Sequence, residues 1–318
     1  MSTARRTRKK TPPELQRIDW ARACRVRVQR RDRSGGRDYR IDIGDEALQL
    51  LGQLRLGSTT HLLKAMDKPA LVPWASRNVA TAAMANLPAI TQMVPEDAID
   101  WLAGSARRYT KGRANIGTAV HALIEWEIAR RTGQILPVPD VDPELEGFVE
   151  QFADFLDLYR PRFAGAEMTV FHPEDGWAGT LDTIAQIEGR EGWGVIDVKT
   201  SNPTRDGAPG VYPEYALQLA CYAHARLLAP FRERWGRLIE VPPITWGAVL
   251  WLRPDRWALV EVDVSDATYE AFLNVARVSR WVNGPGRDAV IGSVAPPDVA
   301  PLPQGIEAWI ASIPARAA

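Results

Sequence analysis

Alternation of apolar and polar positions is clearest in residues 177–200, WAGTLDTIAQIEGREGWGVIDVKT. It predicts two strands, at 177–187 and 192–200, joined by the turn-forming run Glu188-Gly189-Arg190-Glu191. Charges break the pattern, because Asp182, Asp197 and Lys199 interrupt runs of β-branched and apolar residues. Side chains two apart on a strand share a face, so Asp197 and Lys199 project together while Ile196 and Val198 point away. If the strands pair, Asp182 joins them. Taken alone, an Asp-x-Lys reads as an ion pair at a sheet edge.

The same reading extends along the chain. Residues 24–29 and 39–43 alternate around Ser34-Gly35-Gly36 and predict a hairpin, with Val26 and Val28 inward and Arg25 and Arg27 outward. From Gly57 the pattern turns helical, with segments 58–66, 76–93 and 95–108 broken at Pro69, Pro73 and Pro95. The basic cluster Arg107, Arg108, Lys111 and Arg113, interleaved with Tyr109, then leads into a helix at about 118–131, stopped by Gly133. Val120, Leu123, Ile124 and Ile128 form its buried face, with His121 and Glu125 one turn apart at the edge. A helix at 142–159 presents Phe148, Phe152, Phe155, Leu156 and Tyr159 at core spacing. Next come a strand at 167–171, which turns through Pro173-Glu174-Asp175-Gly176 into the Asp182 strand, and a helix at 213–228 with Gln218 and Tyr222 one turn apart. A hairpin at 244–252 and 257–264, an amphipathic helix at 267–282, a proline-rich linker at 284–304 and a short closing helix complete the prediction.

Composition narrows the function classes. The 318 residues carry 39 Lys and Arg against 39 Asp and Glu, so a nucleic acid must be met by a local patch. Residues 1–10 hold Arg5, Arg6, Arg8, Lys9 and Lys10 and predict a basic arm, solvated or in contact with phosphate. The longest apolar run, 244–252, is too short for a bilayer, and the N-terminus leads into Pro12 and Pro13 instead of a signal core, so no membrane partner and a cytoplasmic location are expected. Cys24 and Cys221 are too few for a disulfide scaffold or a four-cysteine zinc or iron-sulfur site. Most of the twelve Trp are expected in the core with a satisfied indole N–H. No phosphate-loop motif of nucleotide-driven motors is present.

In order, Gly117-x-x-x-His121, Gly179-Thr-Leu-Asp182, Asp197-Val-Lys199-Thr200 and Gln218-x-x-x-Tyr222 resemble the RecB-like branch of the PD-(D/E)xK nuclease superfamily. More narrowly, the set is similar to phage-encoded exonucleases related to the CRISPR-associated RecB-like nucleases, without their iron-sulfur cysteines. The run Lys68-Pro-Ala-Leu-Val-Pro-Trp-Ala75 resembles an upstream segment of such phage proteins. The resemblance implies an α/β fold with a restriction-endonuclease-like core. Its central mixed sheet would have three antiparallel first strands, flanked by the His121 and Gln218 helices. Residues 1–56 would form a basic arm and hairpin, 57–265 the core with a helical insertion, and 266–318 C-terminal helices and linker.

Metal-dependent hydrolysis of DNA phosphodiesters is the implied activity, exonucleolytic and serving phage-type recombination or DNA processing in the host cytoplasm. A single-strand annealing or other recombination protein would be a partner. Asp182, Asp197, the Val198 carbonyl and the His121 ring would hold Mg²⁺ or Mn²⁺, with Glu167 a further acidic contributor; imidazole favours Mn²⁺. Lys199 would handle the attacking water, as base or electrostatic clamp. Gln218 and Tyr222 would position the strand, brace Lys199 or simply pack, and Arg107, Arg108, Lys111 and Arg113 would contact DNA. Two rivals remain: a catalytically silent nuclease-fold DNA-binding protein acting as a recombination or assembly partner, and a structural protein whose polar sheet residues are ion pairs. The intact pair of acids with a lysine favours the enzyme.

Overall fold

The hairpin predicted near the N-terminus forms, with longer strands than the alternation marks: β1 (Val26–Arg33) and β2 (Gly36–Asp45), antiparallel from Val26↔Ile43 to Arg33↔Gly36. A third strand that the alternation does not mark, β3 (Leu50–Ser58), pairs antiparallel with β2 and runs up to the helical segment, which begins at Thr59. These come from a computed structural model that describes residues 20–23, 25–33, 36–46, 50–140, 142–200, 209–230 and 233–292. The basic arm at 1–10, most of the proline-rich linker and the closing helix lie outside the described residues.

Helices α1 (Thr59–Leu62), α2 (Leu71–Ala85), α3 (Leu87–Ile90) and α4 (Pro95–Ala103) lead to the 27-residue α5 (Ser105–Arg131). Pro73 does not break α2, because it lies in the first turn, where a missing N–H has no helical acceptor to lose. The basic cluster does not precede the His121 helix; it forms the early turns of α5 itself. Gly117 permits a close approach to the sheet, since a Cβ there would sit 3.2 Å from Thr200 Oγ1.

After α6 (Glu146–Tyr159) come β4 (Arg162–His172), β5 (Trp177–Gln186), β6 (Trp193–Thr200), α7 (Pro213–Ala223), β7 (Leu227–Leu228), β8 (Ile239–Glu240), β9 (Ile244–Leu252), β10 (Trp257–Val262) and α8 (Asp266–Val282). β4, β5 and β6 are antiparallel neighbours; α7 then returns the chain to β9, parallel to β6, and β10 folds back on β9. The fold is therefore α/β, a mixed sheet flanked by helices. On one face Leu181, Ile184, Val195 and Val249 pack with Leu219 and Tyr222 of α7 and Phe272 of α8. On the other, Ile196, Val198, Ala248 and Leu250 pack with Val120, Ile124 and Ile128 of α5 and Phe152 and Phe155 of α6.

The remaining strands curl away. The order β1-β2-β3-β5-β4-β7 closes through the Val26↔Gly236 bridge into a small barrel around Val26, Val28, Tyr39, Ile41, Leu54, Leu56 and Phe171. β5 belongs to both halves. β4 holds one of its edges; the other pairs with β3 at Trp177 and Ala178 and with β6 from Thr183 onward. Asp182 stands at this fork.

Trp177 Nε1 donates to Tyr269 Oη at 2.9 Å, as expected of a buried indole, whereas buried Trp20 and Trp246 have no indole partner among the described residues. The chain divides after Arg280 into a large unit and a short one, of which the end of α8 and the 3-10 turn Pro285–Asp288 are described. No helix among the described residues is long and apolar enough to cross a membrane.

Candidate metal centre at the fork

Strand register builds the site. The last β5–β6 pair before the fork is Thr183↔Ile196, so the next position sets Asp182 opposite Asp197. On the other edge, Ala166↔Thr183 and Met168↔Leu181 bracket Glu167 opposite Asp182. Three carboxylates thus occupy one level of three adjacent strands. Like charges directly opposite disfavour pairing, and β5–β6 pairing ends there. Glu167 adopts φ +46°, a left-handed conformation that costs a non-glycine residue energy and is met at functional sites. Asp182 fills the gap: its Oδ2 accepts the Val198 N–H at 2.6 Å, in place of a ladder bond. A strand residue's N–H and C=O leave the strand on the same side, so the Val198 carbonyl also faces the fork.

From α5, His121 Nδ1 lies 3.6 Å from Asp182 Oδ1. His121, Glu167 and Asp182 each offer a ligand atom within 4.8 Å of the others. Burial pushes the Asp182 carboxyl up and the Asp197 charge adds to it, against the pull of His121 and Lys199. Glu167 is pushed up to about 7 by burial, then by Asp182 and Glu125, while Arg30 and Arg37 pull it down. Crowded carboxylates that resist ionisation, with an imidazole beside them, are a donor set that a hard divalent cation fits.

Asp197 stands outside that group of three. It is only 2% exposed, the Lys199 ammonium lies against its Oδ2, and Gln218 Nε2 donates to its Oδ1 at 3.1 Å. Burial works against the Lys199 ammonium, but Asp197 and Asp182 outweigh it and raise its pKa. Gln218 therefore orients Asp197, and the side chain against Lys199 is Tyr215, whose ring centre is 5.2 Å from Nζ. Tyr215 was not singled out from the sequence; its position three residues before Gln218 on α7 was the available signal. Tyr222 is buried, meets Gln218 Nε2 at 3.4 Å, and packs its ring where a Cβ on Gly179 would be. That explains the glycine in Gly179-Thr-Leu-Asp182 and gives Tyr222 a packing role.

Arg107, Arg108, Lys111 and Arg113 of α5 are all exposed. Around the helix axis Arg107 is turned about 40° from His121, and Lys111 and Arg113 about 80° to either side of it; the three lie roughly 21, 15 and 12 Å from it along the axis. Arg108 is folded back, 4.5 Å over the Trp101 ring and donating to its carbonyl at 2.7 Å, and Arg113 lies 5.7 Å from the Tyr109 ring centre. Arg25 and Arg27 stack on Trp235, with Arg27 also paired to Asp42 at 2.9 Å. No protein-family model matches the chain, and no curated protein matches it in sequence.

Proposed function

We propose that the chain is a divalent-metal-dependent deoxyribonuclease of the RecB-like PD-(D/E)xK kind, degrading linear DNA from its ends. The observation that carries this reading is the carboxylate row at the fork, Glu167, Asp182 and Asp197, with His121 beside it and Lys199 two residues beyond Asp197. The antiparallel neighbours β4, β5 and β6, flanked by the His121 and Gln218 helices, are the arrangement that the resemblance implies, which supports the assignment. A bound Mg²⁺ or Mn²⁺ supplies Lewis acidity, offsetting phosphodiester charge and making water acidic enough to attack near neutral pH.

The protein's own residues do the rest. Asp182, Glu167 and His121 would hold the cation, with the Val198 carbonyl facing the same gap. Asp197, kept in place by Gln218, adds charge on the α7 side. Without a cation its carboxylate neighbours raise the Lys199 pKa, and Lys199 would act as an electrostatic clamp on charge gathering at the phosphate. Arg107 and Lys111 would meet phosphates farther along the strand. Service in phage-type recombination beside a single-strand annealing protein rests on the motif resemblance alone.

The experiment is incubation with end-labelled linear and covalently closed circular DNA in Mg²⁺, Mn²⁺ or chelator. Linear DNA should disappear with metal while closed circles survive. Rapid cutting of closed circles would replace the exonuclease reading by an endonuclease one, and no metal-dependent cutting of either would overturn the nuclease reading.

A further inference from the structure

The inward face of the barrel changes character at one end. On β1, Val26 and Val28 are buried, but Arg30 and Asp32, next on the same face, are 40% and 60% exposed. On β2, Ile43, Ile41 and Tyr39 are buried and Arg37 is not. Register places Arg30 opposite Tyr39 and Asp32 opposite Arg37, so these four side chains share one face.

That end of the barrel abuts the carboxylate row. Tyr39 Oη and Thr180 Oγ1 share a hydrogen bond of 2.8 Å. β2 is antiparallel to β3, and β3 is parallel to β5, so β2 and β5 run in opposite senses. The step from Tyr39 back to Arg37 therefore goes the same way as the step from Thr180 to Asp182, about 7 Å along the strands. β4 gives the same result, with Thr169 opposite Thr180 and Glu167 opposite Asp182.

Asp32 holds the two guanidinium groups, Arg30 Nε at 3.2 Å and Arg37 Nε at 2.7 Å. Exposed ion pairs of this kind contribute only about 0–1 kcal/mol to stability, so folding alone does not explain a second arginine at this exposed end of the barrel. A phosphodiester approaching three carboxylates is repelled and needs cations at its flank. Planar guanidinium forks match phosphate oxygens.

We propose that Arg30 and Arg37 form a binding site for a phosphate of the DNA strand beside the metal centre, with Asp32 as the anion that occupies both guanidinium groups until the phosphate displaces it. This rests on the nuclease reading of the carboxylate row.

The test compares wild type, Arg30→Gln with Arg37→Gln, and Asp32→Asn. Binding of labelled linear DNA is measured in Ca²⁺ across a salt series, melting with and without Mn²⁺, and cleavage in Mn²⁺ for the wild type. The double variant should bind about tenfold more weakly, with the salt slope reduced by about 1, and keep the wild-type Mn²⁺ shift in Tm. Asp32→Asn, which removes an anion from the site, should bind DNA more tightly. Wild-type affinity and slope in the double variant, unchanged or weaker binding by Asp32→Asn, or loss of the Mn²⁺ shift in the double variant would each overturn the phosphate site. A wild type that cuts DNA alongside such results leaves the nuclease reading standing. A wild type that neither binds nor cuts removes both.

Discussion

Asp182→Asn distinguishes a fork built for a cation from one built of ion pairs, because the two give opposite signs of stability change. The nearest ligand atoms of Glu167 and Asp182 lie within 4.8 Å. At an effective dielectric of about 20, two unit charges at that separation repel by roughly 3 kcal/mol. Glu167 titrates at about 7, so near pH 8 most of the repulsion is present. The amide keeps the shape of the side chain, and its oxygen can still accept the Val198 N–H. Lost attraction to His121 and Lys199 offsets part of the relief, leaving the metal-free variant more stable by about 1–2 kcal/mol, roughly 1.5–3 °C in Tm for a chain of this size. The assay is a melting curve near pH 8 in chelator and again in Mn²⁺. In chelator, Tm should rise; the Mn²⁺ gain, about 2.7 kcal/mol for wild type at a hundred times Kd, should be largely lost. The reasoning is refuted if metal-free Tm instead falls as though a buried ion pair had been broken, a cost of about 3–5 kcal/mol, while the Mn²⁺ response persists.

Replacing Arg107 and Lys111 together by Ala should flatten the salt dependence of DNA binding by about 1–2 in log–log slope; Arg108→Ala, which frees Trp101, should lower Tm and leave that slope alone. The Glu167 carboxyl, raised from 4.5 to about 7, contributes stability that is full below about pH 4.5 and lost as pH rises through about 7. Protons and metal compete there, so the Mn²⁺-induced rise in Tm should be larger near pH 8 than near pH 6, and an equal rise at both would count against Glu167 as a ligand. Gly179→Ala drives a methyl into the Tyr222 ring and within 3.0 Å of Thr59 Oγ1; the overpacking should cost about 1–3 kcal/mol, read as a lower urea midpoint.

Much of the centre was legible because strand periodicity is local. Residues 177–187 and 192–200 alternate strongly enough to give the two strands and the shared face of Asp197 and Lys199, and pairing then brings Asp182 level with Asp197. β3 was missed because LLGQLRLGS mixes leucines with two glycines, and its pairing with β2 and β5 outweighs weak intrinsic strand preference. The start of α5 was misplaced for a related reason: Gly112 and Gly117 weaken intrinsic helix preference, yet packing of the helix on β4 and β6 carries it through them. Barrel closure depends on Val26↔Gly236, a contact 210 residues apart with no local signature. Without the barrel, nothing in the sequence brings Arg30 and Arg37 to the carboxylates. Glu167 could be suspected as an acid at the start of a strand, but its left-handed backbone could not.

DNA hydrolysis at the fork is tested most directly by cleavage of end-labelled linear duplex with wild type and Lys199→Ala, each in Mn²⁺ and in chelator, beside a melting curve for each. Wild type should degrade the DNA only with Mn²⁺. Lys199→Ala should keep the Mn²⁺ shift in Tm and bind DNA while cleavage is largely lost, because the carboxylates and His121 remain and only the clamp is gone. Lys199→Ala protein that cuts at the wild-type rate, or wild type inert in Mn²⁺ with no shift in Tm, would contradict the assignment.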